Sequence, residues 1–462
     1  MQSFRLKKSV ELIKMQTSHD FDTDSYHTCG DNNNETSVLD TKKYGPTKYA
    51  IQIQSCPLPV IVFFISILAP SEFFFKLGTL SLPLYRVFLI LFLPIATYRI
   101  LNRKVKQSIF SDTCMLLSSI WVFISLSNTM GFANAVEPSG VWFVESFGAY
   151  IFARAFIRNR TEYIAAFSVL ALVISILGFV GIFGSIWHFD PVDAFIRPAM
   201  GLPTIEYGNR LGMQRVSLMF FHPIHWGVFA SCAFSFVVLS TTSSIKKLPL
   251  GIGIFLGCFS SLSSGALASI SLQTILLVWN HLFWFSKNKW KLFLAALLVL
   301  YVGIDMLSNR DPFSVAFTYL TFSSHTAYWR SIIFEYGVAE VYRNPLLGIG
   351  FNEWIRPSYM KSGSMDNFWL VIAVRHGIPA FIFFGSVFIY TCIKGFSMSS
   401  THANDSLMTS FVFALCATGV AGCAVHFWLA LLVFFCFQLG LLPGLIDEDL
   451  DHQFEYSETS QS

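Results

Sequence analysis

Residues 163–184 read YIAAFSVLALVISILGFVGIFG, a run of 22 residues without a charged side chain. A helix rises about 1.5 Å per residue, so this run is long enough to cross the roughly 30 Å of hydrocarbon in a bilayer. The composition agrees, because 54% of the 462 residues are hydrophobic and only 13% are charged, against about 45–50% and 25% in soluble domains. The sequence therefore predicts an all-α polytopic integral membrane protein.

Similar apolar runs along the chain predict about 12 transmembrane helices. They lie near residues 57–75, 80–100, 109–129, 141–157, 163–184, 217–240, 247–263, 265–286, 291–308, 367–392, 406–423 and 424–443. Residues 1–56 are polar and contain no apolar core of signal-peptide length, so we expect a cytoplasmic tail there. We expect the membrane domain to occupy residues 57–443 and an acidic cytoplasmic tail to occupy residues 444–462.

The distribution of basic residues predicts the orientation of the helices. Clusters such as Arg103-Lys104 and Lys246-Lys247 alternate with loops that are poorer in Lys and Arg, as the positive-inside rule requires. Two long loops, about 185–216 and 309–366, then face outward. The net charge of +3 is small and dispersed, which excludes a nucleic-acid partner.

The second outer loop should contain a short amphipathic helix that ends before Asn344-Pro345 and can lie along a membrane surface. The Leu-Leu-Gly-Ile-Gly sequence that follows predicts a turn that needs the backbone freedom of glycine. The apolar face of this helix is predicted from residues at helical spacing: Trp329, Ile332, Ile333, Tyr336 and Ala339.

Basic side chains near the first outer loop are candidates for binding phosphate. Arg215 heads the run RVSLMFFHPIHWGVF at the outer end of a predicted spanning helix, with Arg210 shortly before it. Such an arginine is either an interfacial anchor or a phosphate ligand. Pro223, about two turns inside, would open the helix, so His222 and His225 could reach a cavity or could simply pack.

The second loop supplies a further set of candidates. Asp366 is either the cap of the next helix or a general base, and Glu353 is a weaker candidate for the base. His325 and Arg330 flank Trp329, where interfacial anchoring is the alternative to a role in catalysis. Arg375 would lie about 13 Å inside a helix by rise per residue, where a charge needs a cavity or a counter-charge.

Motifs for metals and nucleotides are missing from the sequence. The outer loops contain no D-x-D and no cluster of histidine and cysteine, and the chain contains no phosphate-binding loop of the form G-x-x-x-x-G-K-S/T. We therefore predict no metal and no cofactor. An enzyme of this kind would use a membrane substrate that brings its own leaving group.

In order and spacing, several of these motifs resemble the O-antigen ligase and polymerase superfamily over about residues 200–390. The motifs are Arg215 with His222-Pro223, the helix of Trp329, the segment from Asn344 to Phe351, and Asp366-Asn-Phe-Trp-Leu followed by Arg375-His-Gly-Ile378. Ligases of this family usually have a histidine before the asparagine, where this chain has Asp366. The chain is therefore more similar to the exopolysaccharide polymerases.

The resemblance implies a GT-C-like, inverting, metal-independent glycosyltransferase of the bacterial inner membrane, with its active site facing the periplasm. Donor and acceptor would be undecaprenyl-diphosphate-linked glycans, and a chain-length regulator and a flippase of the same pathway are candidate partners. Carried onto this chain, the resemblance implies that Arg215 would bind the diphosphate, and we predict that Arg210, His222, His225 and Arg375 contribute to the same binding site. The acceptor would be activated near Asp366, with Glu353, and His325 or Arg330 would stand where relatives have an arginine. The alternatives are a ligase that transfers finished polymer to lipid A core or protein, and a polysaccharide flippase or secondary transporter.

Overall fold

The computed structural model describes residues 49–102, 109–205, 207–308, 315, 324–360, 362–401 and 405–461, without the side chains of 324–327, 400–401 and 447–461. All of these residues fall in one compact unit, residues 44–462. Most of the predicted N-terminal tail and part of the second outer loop lie outside the described residues.

The described chain is mostly helical, as the composition predicts. The helices are α1 (Leu58–Leu68), α2 (Leu84–Leu101), α3 (Ile109–Met130), α4 (Phe132–Phe143), α5 (Ala149–Phe156), α6 (Arg160–Trp187), α7 (Arg197–Ala199), α8 (Pro223–Ser231), α9 (Phe234–Leu239), α10 (Ser244–Ser260), α11 (Ser264–Leu282), α12 (Lys289–Leu307), α13 (Ser324–Arg343), α14 (Phe368–Thr401), α15 (Ser406–Ala421) and α16 (Ala430–Gln461). Two π-helical turns, Val144–Gly148 and Val192–Ile196, precede α5 and α7.

One β-hairpin departs from the all-α prediction. Strands β1 (Phe74–Leu77) and β2 (Leu80–Pro83) pair antiparallel, with Phe74 opposite Pro83. Gly78 provides the positive φ of 64° that the tight turn between them requires.

Six described helices are long and apolar enough to cross a membrane. They are α2, α3, α6, α11, α12 and most of α14. Each of the 12 predicted apolar runs contains helix, but several of these helices are short or interrupted, so 12 spans are not confirmed. The described part of the chain is a helical membrane protein with at least these six candidate spans.

Close packing of α6 against α10 fixes one border of the site described below. A Cβ on Gly178 would lie 1.9 Å from the carbonyl oxygen of Gly253, so the two backbones approach as closely as glycine permits. Contacts between small residues of this kind are typical of helix pairs in membranes. The packing also brings Gly181 against Ser260, the last residue of α10, and thereby fixes the loop between α10 and α11.

A break inside α14 is filled by the loop that follows α13. Gly377 has a φ of 82°, and a Cβ there would lie 2.0 Å from the carbonyl oxygen of Leu346. Within the break, the amide of Gly350 donates to the carbonyl of Arg375 at 2.8 Å. Gly348 and Gly350 have φ values of 64° and 60°, which confirms the predicted glycine turn. The predicted continuous helix over 367–392 is wrong, because it stops and restarts at Gly377.

Candidate functional site

The segment before α8 is not helical, contrary to prediction. The helix begins at Pro223, and His222 is its N-cap, with an extended backbone and a side chain that accepts a hydrogen bond from the amide of Ile224. Proline favours the first helical position and disfavours helical geometry in the residue before it. Arg215 therefore lies in an irregular segment in front of the helix, and His222 lies at the helix mouth.

A tight turn sets the position of Arg210 and Arg215. The backbones of Arg210 and Met213 exchange two hydrogen bonds, of 2.9 and 3.0 Å, and Gly212 has a φ of 75° between them. The next residue, Gln214, donates its amide to the carbonyl of Ser185 at the end of α6. The two arginines thus flank a turn that is fixed to the membrane domain.

Both guanidinium groups contact the loop between α10 and α11. Arg210 donates from Nη1 to the carbonyl of Leu262 at 3.0 Å, and Arg215 donates from Nε to the carbonyl of Ser261 at 3.3 Å. Nη2 of Arg215 is buried and has no hydrogen-bond partner among the described residues. This amino group remains available for a ligand.

The start of α11 borders the same space. Ser263 is its N-cap residue and makes no side-chain capping hydrogen bond, and both Ser263 and Ser264 line the cavity. The first amides of a helix have no partner within the helix and favour anions. Sequence reasoning missed these two serines, although serine before an apolar run is a usual sign of a helix start.

Arg330 approaches from α13. Its side chain is buried, and its Nη2 donates to the carbonyl of Ala424 at 3.1 Å, while its Nε has no partner among the described residues. Burial lowers the pKa of Arg330, and the nearby carboxylate of Asp366 acts in the opposite direction. Arg330 is therefore built into the protein interior and is not an interfacial anchor.

Asp366 does not cap α14. The side chain of Asn367 does so, because its Oδ1 accepts a hydrogen bond from the amide of Leu370 at 3.0 Å. Asp366 is exposed and accepts one hydrogen bond, from the hydroxyl of Ser364 at 3.0 Å. Its carboxylate is free to meet a bound substrate.

These segments enclose a cavity of about 570 Å³. It unites five of the nine predicted site residues, although they come from chain segments more than 150 positions apart. Its walls are formed by Arg210, Arg215, His222, Ile224, Ser263, Ser264, Trp329, Arg330, Ile333, Tyr359, Met360, Ser362, Ser364 and Asp366.

The cavity is positively charged at neutral pH. Burial, with the positive charges of Arg215 and Arg210, lowers the pKa of His222 to about 4, so this imidazole is neutral. Burial, with the charge of Arg210, lowers the pKa of Arg215 to about 10, and the side chain stays protonated. Three arginines thus face one carboxylate, a balance that favours an anionic ligand.

The structure places three predicted site residues outside the cavity. His225 is buried, and its Nε2 lies 3.0 Å from the carbonyl of His426. Glu353 is exposed and paired with Arg356. Arg375 borders the helix break, where its guanidinium lies 5.1 Å from the ring centroid of Phe351, because the inserted loop brings that ring to it.

The remaining predicted site residue is His325. It lies in the first turn of α13, and its side chain is outside the described part of the chain. The helix itself ends at Arg343, immediately before Asn344-Pro345, as predicted.

The fold and the cavity define a multi-pass helical membrane protein with a cationic pocket at the mouths of its helices. Residues 249–385 match the model of a family described as O-Antigen ligase, while no curated protein matches the chain. The matched range contributes the serines of α11, Arg330, Tyr359 and Asp366 to the cavity, while Arg210, Arg215 and His222 precede it. The match confirms the resemblance to the O-antigen ligase and polymerase superfamily. It supports an enzyme that acts in the processing of O-antigen or a related polysaccharide.

Proposed function

We propose that the protein is a polymerase that joins undecaprenyl-diphosphate-linked oligosaccharide repeat units at the periplasmic face of the bacterial inner membrane. The observation that carries this proposal is the convergence of Arg210, Arg215, Arg330 and Asp366 around one cavity. Cationic and hydrogen-bonding groups fit a diphosphate, and a neighbouring carboxylate fits a hydroxyl acceptor.

The diphosphate of the donor lies between the arginines and the start of α11. Nη2 of Arg215 and Nε of Arg330 are buried donors without partners among the described residues, and phosphate oxygens satisfy such donors well. The amides in the first turn of α11, which the side chain of Ser263 does not cap, add donors of the same kind. Charge that develops on the leaving diphosphate is thereby stabilised in the transition state.

The transfer itself breaks the bond between the anomeric carbon of the donor and the diphosphate oxygen. An acceptor hydroxyl oxygen forms the new bond to that carbon and gives its proton to the carboxylate of Asp366. The bonding electrons leave with undecaprenyl diphosphate. Attack opposite to the leaving group inverts the anomeric centre, and the reaction needs no metal or nucleotide.

Reconstitution tests this function. The purified protein in lipid is given undecaprenyl-diphosphate-linked repeat units without nucleotide or metal, and product length is followed on a gel. We expect a ladder of multiples together with released undecaprenyl diphosphate. Movement of the substrate between leaflets without any ladder would instead identify a flippase or transporter.

A ligase is the second candidate, because the matched family is described by that activity. It would transfer finished polymer to lipid A core or to a protein hydroxyl through the same cavity. Deletion of the gene separates the two: loss of a polymerase leaves single repeat units, whereas loss of a ligase leaves long unattached chains.

A further inference from the structure

Besides the arginines, aromatic side chains form part of the cavity wall. Trp329 and Tyr359 both line the cavity, and their ring centroids lie 6.0 Å apart. Tyr328 adjoins Trp329 at 5.9 Å. We call Trp329 and Tyr359, the two rings that line the cavity, the aromatic wall.

One ring of the aromatic wall is packed and the other is exposed. Trp329 packs on a small hydrophobic core that joins α13, the following loop and the first half of α14. Tyr359 nevertheless leaves 58% of its surface exposed. The exposed ring of Tyr359 thus lies beside a packed indole, with 6.0 Å between the centroids, and offers a binding face with only two side-chain torsions to fix.

Polar groups adjoin this face within a few residues of the chain. Ser362, Ser364 and Asp366 follow Tyr359 and line the same cavity. A pyranose ring presents C–H groups on one face and hydroxyl groups around its edge. The C–H face suits the negative face of an aromatic ring, and the hydroxyl groups suit serine and carboxylate oxygens. A lipid chain, by contrast, cannot form hydrogen bonds with these serine and carboxylate oxygens.

We propose that the aromatic wall is the subsite for the acceptor glycan, with Tyr359 stacked on a sugar ring whose hydroxyl points to Asp366. This proposal rests on the proposed function, because it assigns one of the two substrates of that reaction to these residues. Tyr359 then determines which acceptor sugars are accepted, while the arginines bind the diphosphate whatever glycan it carries.

The test measures two ligands separately on the full-length protein in lipid nanodiscs. One ligand is undecaprenyl diphosphate without glycan, and the other is the repeat-unit oligosaccharide released by mild acid from cells that lack the protein. We expect Tyr359→Ala to weaken oligosaccharide binding about tenfold, as the loss of one aromatic stacking contact predicts, and to leave undecaprenyl diphosphate binding within twofold. Tyr359→Phe keeps the ring and should bind both ligands nearly as the parent protein does.

Tyr342 provides a matched control. It lies on α13, the helix that carries Trp329, and is 79% exposed, but it does not line this cavity. Equal losses in Tyr342→Ala and Tyr359→Ala, or unchanged oligosaccharide binding in Tyr359→Ala, would overturn the subsite and identify the rings as interfacial anchors. Failure of undecaprenyl diphosphate to bind the parent protein would refute the proposed function separately.

Discussion

Replacement of Arg215 by alanine tests the proposed diphosphate site most directly. The Nε of this guanidinium is held by the carbonyl of Ser261, while its Nη2 has no partner among the described residues. The substitution therefore removes at least one charge-assisted hydrogen bond to the ligand, which contributes about 1.5–3 kcal/mol. At about 1.4 kcal/mol per factor of ten, undecaprenyl diphosphate should bind roughly 10- to 150-fold more weakly.

The assay is displacement of labelled undecaprenyl diphosphate from protein in nanodiscs. Arg215→Lys keeps the charge but not the planar fork, so an intermediate loss is expected. Arg99→Ala is the control, because Arg99 is an exposed arginine that lies over the ring of Phe156 and not in the cavity. Affinity within threefold of the parent in a folded Arg215→Ala protein would refute the assignment of the diphosphate to this group.

Three further predictions concern the carboxylate, the histidine and the helix break. Asp366→Asn should abolish single-turnover transfer while undecaprenyl diphosphate still binds, and full transfer by this variant would exclude a base there. Asn367→Ala removes the cap of α14 and should mainly cost about 0.5–2 kcal/mol of stability, measured by thermal inactivation. Because the pKa of His222 is lowered to about 4, the unfolded chain binds more protons between about pH 4 and its ordinary value, near 6.5. Stability should therefore fall as the pH drops through this range, and His222→Asn, which keeps a capping side chain, should show a flatter dependence of inactivation temperature on pH; an equally steep curve would contradict the buried neutral imidazole. Gly377→Ala should leave little folded protein, because its Cβ would meet the carbonyl of Leu346. Gly385→Ala on the same helix meets nothing within 4 Å and should be neutral or mildly stabilising. The yield of protein that stays folded in detergent measures both effects.

Local patterns were sufficient to predict the helices that depend on their own sequence. The apolar run at 109–129 became α3 at Ile109–Met130, and the run at 163–184 lies inside α6. Hydrophobicity and length determine such elements, and both can be read without knowledge of the neighbours.

Periodicity did not place the start of α8; Pro223 marks it locally, and a distant residue also holds the preceding segment. The Oδ2 of Asp190 accepts hydrogen bonds from the amides of Ser217 and Leu218 at 3.3 and 3.2 Å. Those amides would otherwise extend the helix toward Arg215. The break in α14 likewise had a local signal, since Gly377 followed by Pro379 is a usual sequence for the end of a helix.

The chemical identity of the candidate residues was predictable, but their convergence was not. Residue type marked Arg215, Arg330 and Asp366 as candidates, yet it also marked Arg375 and, more weakly, Glu353. Neither residue lines the cavity: Arg375 lies at the helix break beside the ring of Phe351, and Glu353 is exposed and paired with Arg356. The contact of Arg375 joins residues about 25 positions apart and could not be read from spacing along the chain, whereas the Glu353–Arg356 pair is local.

Two groups of arginines in the described part of the chain differ in their partners, and the difference supports a ligand in the cavity. Arg86 pairs with Glu145, Arg197 pairs with both Glu72 and Asp193, and Arg154 pairs with Asp112. The three arginines that line the cavity, Arg210, Arg215 and Arg330, form no ion pair with a described residue and are held by backbone carbonyls. An unpaired charge that is buried or half-buried is costly. The fold pairs its other buried arginines with carboxylates and leaves these three clustered without one. Such a cluster suits an anion that arrives with the substrate and departs with the product.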